Sequence, residues 1–239
     1  DTDADSDADA DADSDADADA QAFLRLANVA PETGPLDVYV NDRPTQVAGP
    51  VPVASGTAFY RVTPGVREVR VVPAGEPPSA TVASSEQDLA PRQRYSAIAW
   101  GPAASSHLDL IHEDVTGLDD SHVRYTLFVA DPRLPAVDIV DTTTATVLAT
   151  GTYGVRVLAG DLEVGARSLG LDLDRDGGVD CSYVVSNAGG NVVVSLYVLS
   201  RDGEVYLLAH NPQGLLAPTS QVEPSCPLPG AHTGDTGPG

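Results

Sequence analysis

The sequence of 239 residues contains no lysine and no methionine, so all 13 of its basic residues are arginines. Set against 35 acidic residues, they leave a formal net charge of −22. Nucleic acids and anionic membrane surfaces are bound by clustered cations, so we expect neither as a partner. The sequence also lacks any apolar run of about 18 residues, the length that a membrane-spanning helix requires.

Cysteine is scarce, with only Cys181 and Cys226. The chain starts at Asp1 without an initiator methionine, a pattern typical of a processed exported protein. We therefore expect a secreted, extracellular or bacterial cell-surface location, with surface anchoring left open. In that compartment the two cysteines are predicted to form a disulfide, worth on the order of 3–4 kcal/mol for a loop of this length. Two unpaired thiols or a two-cysteine zinc site are the alternatives.

Catalytic signatures are missing as well. The sequence has no Gly-x-Ser-x-Gly, no phosphate-binding glycine loop, no His-Glu-x-x-His and no Ser-x-x-Lys, and we predict that the protein is not an enzyme. One acidic and histidine-rich cluster runs from His107 to Asp114. On a strand, His107 and Asp109 share one face while His112 lies on the other. We interpret this cluster as a solvated strand end rather than a metal site.

The most regular feature is the N-terminal segment 1–20, which has Asp at every odd position and Ala, Ser or Thr between. In an extended chain these carboxylates would lie on one side about 7 Å apart, repelling one another by about 0.6 kcal/mol per neighbouring pair in water. Hard oxygen ligands favour Ca²⁺, so we predict calcium along this row, bound by Asp1, Asp3, Asp5, Asp7, Asp9, Asp11, Asp13, Asp15, Asp17 and Asp19. The alternative is a disordered, self-repelling spacer.

From Gln21 to Asn211, short runs of Val, Leu, Ile, Tyr and Phe alternate with Pro, Gly, Asn and Asp, a texture typical of β-sandwiches. Two sets of runs resemble each other, since Arg25-Leu-Ala-Asn-Val-Ala and Arg124-Tyr-Thr-Leu-Phe-Val-Ala open similar stretches. We predict an all-β protein of two tandem Ig-like antiparallel β-sandwich domains. Their expected ranges are 21–117 and 121–211, after an extended Asp-rich segment at 1–20 and before a Pro- and Gly-rich tail at 212–239.

The stretch from Asn28 to Asn41, in which a Pro- and Ala-containing turn leads into Pro35-Leu-Asp-Val-Tyr-Val, resembles domain of unknown function 4397, an uncharacterised secreted bacterial family. Tyr60–Pro73, with its Pro64-Gly65 turn, is similar to the family's next hairpin. The resemblance covers 22–115 well and 122–210 more loosely, with Asp37 and Asp138 as equivalent strand acids. It implies Ig-like sandwiches on exported proteins, often lipoproteins or surface proteins, and it implies no reaction.

A second acidic motif is Asp172-Leu-Asp174-Arg-Asp176-Gly177-Gly178-Val-Asp180. Alternating acids followed by glycine place several oxygens around a tight turn, as calcium loops do. We predict a Ca²⁺ site with Asp172, Asp174, Asp176 and Asp180 as ligands. An EF-hand would need Glu at the twelfth loop position, where Tyr183 stands, so a loop between two strands fits better. An acidic surface turn without metal is the alternative.

These features together predict a non-enzymatic extracellular structural subunit that binds calcium through its Asp-rich segments. The leading hypothesis is a filament or surface fibre, in which residues 1–20 add as a strand to the sheet edge of another copy, head to tail. The alternative is a cell-surface binding or adhesion module displayed on a flexible acidic stalk.

Overall fold

A computed structural model describes residues 21–41, 43–44, 50–187, 189–212, 216–218, 220–222 and 226–229. Among these residues no α-helix occurs, and short 3-10 helices span Pro78–Ala80 and Ala103–Ser105. The strands form four sheets, so the protein is all-β, as predicted. No helix in the described ranges has the length and apolarity needed to cross a membrane.

Strands β1 to β9 form the first sandwich. Sheet A has the order β4–β1–β8–β9, with β5 also paired to β1, and sheet B has the order β3–β2–β6–β7. The strand bounds are β1 Ala22–Asn28, β2 Leu36–Val40, β3 Arg43–Pro44, β4 Ser55–Gly56, β5 Tyr60–Val62, β6 Gly65–Pro73, β7 Ala83–Leu89, β8 Arg94–Trp100 and β9 His107–His112.

Strands β10 to β19 form the second sandwich. Sheet C has the order β13–β10–β16–β17–β18, and sheet D has the order β12–β11–β14–β15–β19. The strand bounds are β10 His122–Val129, β11 Ala136–Asp141, β12 Thr146–Thr152, β13 Arg156–Glu163, β14 Gly165–Asp172, β15 Cys181–Asn187, β16 Val192–Arg201, β17 Glu204–His210, β18 Leu216–Pro218 and β19 Ser220–Val222. Asp202 and Gly203, both with positive φ, make the two-residue turn between β16 and β17 that an Asp-Gly pair favours.

The two sandwiches share a pairing pattern that differs from the antiparallel sheets we predicted. The first strand of each runs parallel to its neighbour in the sheet, β1 beside β8 and β10 beside β16, so sheets A and C are mixed. A parallel pair needs a long crossover, and here the chain between the paired strands passes through strands of both sheets. Alternation of apolar residues does not distinguish these two directions, which is why the sequence pattern missed the parallel pairs.

Each sandwich has its own core between its two sheets. In the first core Leu24 and Leu26 of sheet A pack with Val69 and Val71 of sheet B. In the second, Leu127 of sheet C packs with residues of sheet D such as Leu171 and Tyr183. The predicted boundary at 117–121 lies in the loop between β9 and β10, and the division into two separately folding domains stays a prediction.

A third apolar cluster joins the two sandwiches through the faces of sheets A and C that point away from those cores. Sheet A contributes residues including Ala27 and Ile98, and sheet C contributes residues including Phe128, Tyr197 and Leu208. The four sheets therefore stack in the order B–A–C–D. Trp100 packs against this cluster, edge to face with Phe128 at 5.5 Å between ring centroids.

The polar part of this interface, here called the seam, is organised around Arg25. Its side chain is fully buried and forms an ion pair of 2.6 Å with Glu113. Nε also donates to Ser96 Oγ at 2.9 Å, and Nη1 donates across to the carbonyl oxygens of His210 and Asn211 at 3.1 and 2.7 Å. One arginine of the first sandwich thus holds the C-terminal end of β17 in sheet C.

The two terminal segments predicted from the sequence, 1–20 and 212–239, differ in how much of them the structure describes. Residues 1–20, with all ten leader aspartates, lie outside the described residues. Part of the segment predicted as a tail, 212–239, is strand, because β18 pairs with β17 and β19 pairs with β15.

Candidate functional site

The candidate site is the loop of residues 172–180 between β14 and β15 in sheet D. Asp172 ends β14 and is buried, whereas Asp174 and Asp176 are exposed. The chain reverses inside the loop through positive φ values of 61° at Arg175 and 89° at Gly177. Glycine adopts that conformation without strain, which explains why the acidic run is followed by glycine.

Backbone amides of the loop itself hold its carboxylates. Asp172 accepts from Arg175 N at 2.6 Å through Oδ1 and from Gly177 N at 2.9 Å through Oδ2. Asp176 N donates to Asp174 Oδ1 at 3.2 Å, and Gly178 N donates to Asp176 Oδ1 at 2.7 Å. These are the local turns that aspartate favours, and they orient the side chains without any partner from outside the loop.

Three of the four predicted ligands come together. One carboxylate oxygen from each of Asp172, Asp174 and Asp176 lies within 4.8 Å of the others. Three negative charges at this separation repel one another, so the arrangement favours a bound cation. An all-carboxylate oxygen set suits a hard divalent ion, and backbone carbonyls or water would complete its coordination.

Asp180 has a different position from the one predicted. It is not part of the three-carboxylate group, and its Oδ2 accepts from Leu173 N at 2.7 Å, which closes the base of the loop. Tyr183, which stands where an EF-hand would carry Glu, is buried and donates through its hydroxyl to Val205 O at 2.8 Å. Neither residue joins the group, and Asp180 instead fixes the distance between the loop's ends.

One further acid beside the loop was missed by the motif search. Asp138 of β11 pairs in register with Asp172, and its Oδ1 lies 3.4 Å from Arg175 Nε. The two strands are far apart in the sequence, so only sheet register could have brought Asp138 to this place. Arg175 therefore balances part of the local negative charge from the outer side of the loop.

The predicted disulfide joins Cys181 to Cys226 immediately after the loop. Both cysteines are buried in the core of the second sandwich. Val205 N donates to Cys226 O at 2.7 Å, so the chain on both sides of the bridge is attached to a sheet. The end of the loop at Asp180 is therefore anchored.

The cluster from His107 to Asp114 does not assemble as a metal site. Asp109 accepts from Trp100 Nε1 at 2.9 Å, and Glu113 is buried beside Arg25. Our interpretation of a solvated strand end is correct for the exposed His107 and wrong for Glu113. Glu113 was misplaced because the sequence did not reveal that a second sheet covers this end of sheet A.

Comparisons with known proteins give two distant structural matches and one family match. Two solved structures resemble the chain distantly. The Bacillus anthracis TIE protein has 10% identity over 75% of this chain and a TM-score of 0.24. A Bacteroides fragilis protein described as a candidate cell adhesion protein has 9% identity over 80% of this chain and a TM-score of 0.22. The matches cover 34% and 97% of those proteins, so the chain spans about a third of the first. No curated protein matches significantly. Residues 22–140 match the model of a family described as Domain of unknown function (DUF4397), and through this segment the chain belongs to that family.

Proposed function

We propose that this protein is a non-enzymatic extracellular structural protein that binds Ca²⁺ in the loop of residues 172–180. The observation that carries the proposal is the group of three carboxylates whose oxygens lie within 4.8 Å of one another. Backbone amides of the same loop already hold these carboxylates by hydrogen bonds. A preorganised loop binds an ion without a large ordering cost. The ion would in return relieve the repulsion among the three aspartates.

Calcium suits this group better than other common metals. The donors are oxygens from Asp172, Asp174 and Asp176, without the nitrogen or sulfur ligands that zinc and copper prefer. Ca²⁺ tolerates irregular coordination by six to eight oxygens, whereas Mg²⁺ demands a small, near-octahedral shell. The exposure of two of the three aspartates leaves room for water ligands.

The extracellular assignment is supported by the disulfide, because structural disulfides persist in oxidising compartments. The non-enzymatic assignment is supported by the sequence, which has none of the common hydrolase or nucleotide-binding signatures. The stack of four sheets, joined by an apolar cluster and by Arg25, favours a rigid spacer or building block.

Self-assembly into a filament is the finer part of the proposal, with residues 1–20 as the strand donor. The described strands offer an acceptor. In the second sandwich β18 and β19 cover the edges of β17 and β15, whereas no described strand pairs with the outer edges of β9 and β7, their counterparts in the first. An open edge can accept a strand from a second copy.

The second candidate function is a cell-surface binding module on an acidic stalk. It is favoured by an open cleft between the end of β9 and strands β10 and β13, lined by residues of both sandwiches.

Electron microscopy of the full chain in Ca²⁺ and then in chelator separates the two candidate functions. Fibres that dissolve in chelator support the structural role, and fibres would be lost when the ten leader aspartates are replaced by Asn. Monomers under every condition favour the binding module.

The calcium site itself is tested by titration calorimetry and thermal unfolding of the full chain. We expect Ca²⁺ at 100 times its Kd to stabilise the folded state by about 2.7 kcal/mol, and chelator to reverse the effect. The double variant Asp174→Asn/Asp176→Asn should lose the part of the binding heat that belongs to the loop and the stabilisation by Ca²⁺, while Asp88→Asn, an exposed change on the first sandwich, should keep both. Identical melting temperatures with Ca²⁺ and with chelator would refute the site.

A further inference from the structure

The cleft between the two sandwiches has a volume of about 260 Å³. Its walls include His112 and Asp114 from the first sandwich and its following loop, and Arg124, Thr126, Arg156 and Leu158 from sheet C. It adjoins the seam, because Arg156 is close enough to Arg25 and Glu113 to interact with their charges. Small-molecule sites occur preferentially at such junctions between domains.

Arg156 is the unusual residue of this cleft. It is half-buried, and among the described residues its guanidinium has no carboxylate within 4.0 Å and no hydrogen-bond acceptor. Burial lowers the pKa of Arg156, since removal of water penalises its charge. The guanidinium nevertheless stays protonated at neutral pH, so the cleft holds a partly desolvated cation that lacks a counter-ion.

The acids around the cleft are already engaged by other arginines. Glu113 pairs with Arg25 at 2.6 Å. Asp161 accepts two hydrogen bonds of 2.8 Å from Arg124, and Asp114 lies 4.0 Å from the same arginine. None of the three acids is free to neutralise Arg156, although the whole chain has a large excess of acids.

The neighbouring wall of the cleft is apolar. Leu158 lies two residues after Arg156 on β13, so both side chains point to the same face of sheet C. Leu158 is 61% exposed, the largest exposed fraction among the large hydrophobic residues described. Thr126, its partner in register on β10, adds a hydroxyl to the lining of the cleft.

We propose that this cleft binds a small aliphatic carboxylate, with the carboxylate on Arg156 and the hydrocarbon part against Leu158. Arginine and carboxylate form two parallel hydrogen bonds, which gives the pair direction as well as charge complementarity. A volume near 260 Å³ lies slightly below the usual range for drug-sized ligands and suits an acid of a few carbon atoms. This site is separate from the calcium loop, so either proposal can fail alone.

The test is a titration of the full chain with sodium butyrate, followed by the NMR signals of the backbone and of the arginine Nε–H groups. We expect saturable shifts at Arg156, Thr126 and Leu158. Acetate should bind about fivefold more weakly because it lacks the hydrocarbon part, and neutral butyramide should cause no saturable shift. Sodium chloride at equal ionic strength controls for general screening.

Variants assign the effect to its residues. Arg156→Gln should abolish the saturable shifts, and Arg156→Lys, which keeps the charge without the planar fork, should weaken binding about tenfold. Leu158→Ser should reduce the affinity for butyrate to that for acetate. Arg201→Gln removes an exposed arginine that pairs with Asp202, and it should leave binding unchanged. The proposal is overturned if butyrate gives no saturable shift at the cleft, or the same shift in Arg156→Gln.

Discussion

The side chains of Arg25 and Glu113 meet at 2.6 Å in the seam, 88 positions apart in the sequence and both almost completely buried. Ser96 also donates to Glu113, and the remaining nitrogens of Arg25 reach the carbonyl oxygens of Val193, His210 and Asn211. A buried ion pair tolerates its own desolvation only when its other hydrogen-bonding atoms are satisfied as well. Carbonyl oxygens of the second sandwich therefore accept hydrogen bonds from an arginine of the first.

We predict that Glu113→Ala lowers the free energy of unfolding by about 3–5 kcal/mol, because it leaves Arg25 charged and buried without a carboxylate. The double variant Arg25→Met/Glu113→Leu should lose less than Glu113→Ala alone, since it removes both charges together. Urea unfolding of the three proteins measures the difference. A double variant at least as damaged as Glu113→Ala would contradict this account of the pair.

The matched control is the ion pair of Arg124, which occupies the equivalent position at the start of the second sandwich. Arg124 and Asp161 lie 2.8 Å apart, but their side chains are 18% and 38% exposed. Hydrogen bonding from Arg124 lowers the pKa of Asp161. Exposed pairs contribute little, so Asp161→Ala should cost less than about 1 kcal/mol. A large cost would mean that this pair too is structurally essential.

The seam also shows how far the sequence could predict this fold. Short apolar runs separated by turn residues correctly indicated strands and an all-β fold. This pattern could not say what covers the other face of sheet A, so Glu113 was interpreted as part of a solvated strand end. One signal was available: β16 reads Val192-Val-Val-Ser-Leu-Tyr-Val-Leu199, an apolar run interrupted only by Ser195, and near-continuous apolar runs are typical of strands buried on both faces.

The candidate calcium loop was more predictable than the cleft. Its turn is made by neighbouring residues, so spacing alone brought Asp172, Asp174 and Asp176 together. Asp180 was misplaced because a backbone amide competes for its carboxylate. The cleft around Arg156 depends on contacts between residues distant in the sequence, and no local pattern reports them.

A second prediction concerns the close approach of Gly154 to Trp100. A Cβ atom at Gly154 would lie 2.6 Å from Trp100 Cη2, and the φ of Gly154 is +72°. We expect Gly154→Ala to cost about 2–4 kcal/mol, from left-handed strain and overpacking together. The matched change Gly117→Ala, at φ +78° with nothing within 4 Å, should cost only the strain, about 1–2 kcal/mol. Trp100 is the sole tryptophan, so its fluorescence reports both unfolding curves.

A third prediction concerns the exposed pair of Asp119 and His122. His122 Nδ1 lies 2.7 Å from Asp119 Oδ1, and this hydrogen bond raises the pKa of His122 and contributes most to lowering the pKa of Asp119 to about 2. The folded state therefore binds the His122 proton more tightly than the unfolded state does. The contribution of this hydrogen bond to the stability of the folded state is present below pH 6.5 and is lost as the pH rises through the raised pKa of His122.

NMR titration of the His122 ring checks this pair. Asp119→Asn should return the pKa of His122 towards 6.5, whereas Ser121→Ala, which removes a neighbouring hydroxyl and keeps the carboxylate, should leave it raised. An unchanged His122 titration in Asp119→Asn would contradict the assigned cause.

The last prediction uses the opposite shift at His210 in the seam. His210 is fully buried, its Nε2 lies 2.9 Å from Thr57 O, and its Nδ1 is buried without a hydrogen-bond partner among the described residues. Since a carbonyl only accepts, Nε2 carries the hydrogen and Nδ1 is the nitrogen that would take up a proton. Burial, with the charge of Arg25 as a smaller cause, lowers the pKa of His210 well below 6.5.

As the pH drops below about 6.5, His210 becomes protonated in the unfolded chain but stays neutral in the folded chain. The free energy of unfolding therefore falls as the pH decreases. Between pH 7.5 and 5.5 this residue should contribute a loss of about 1 kcal/mol in the free energy of unfolding. His210→Gln keeps an amide donor for Thr57 O but cannot titrate, so its pH dependence should be shallower by that amount. Urea unfolding of both proteins at the two pH values measures the difference, and parallel pH profiles would show that His210 is protonated in the folded seam.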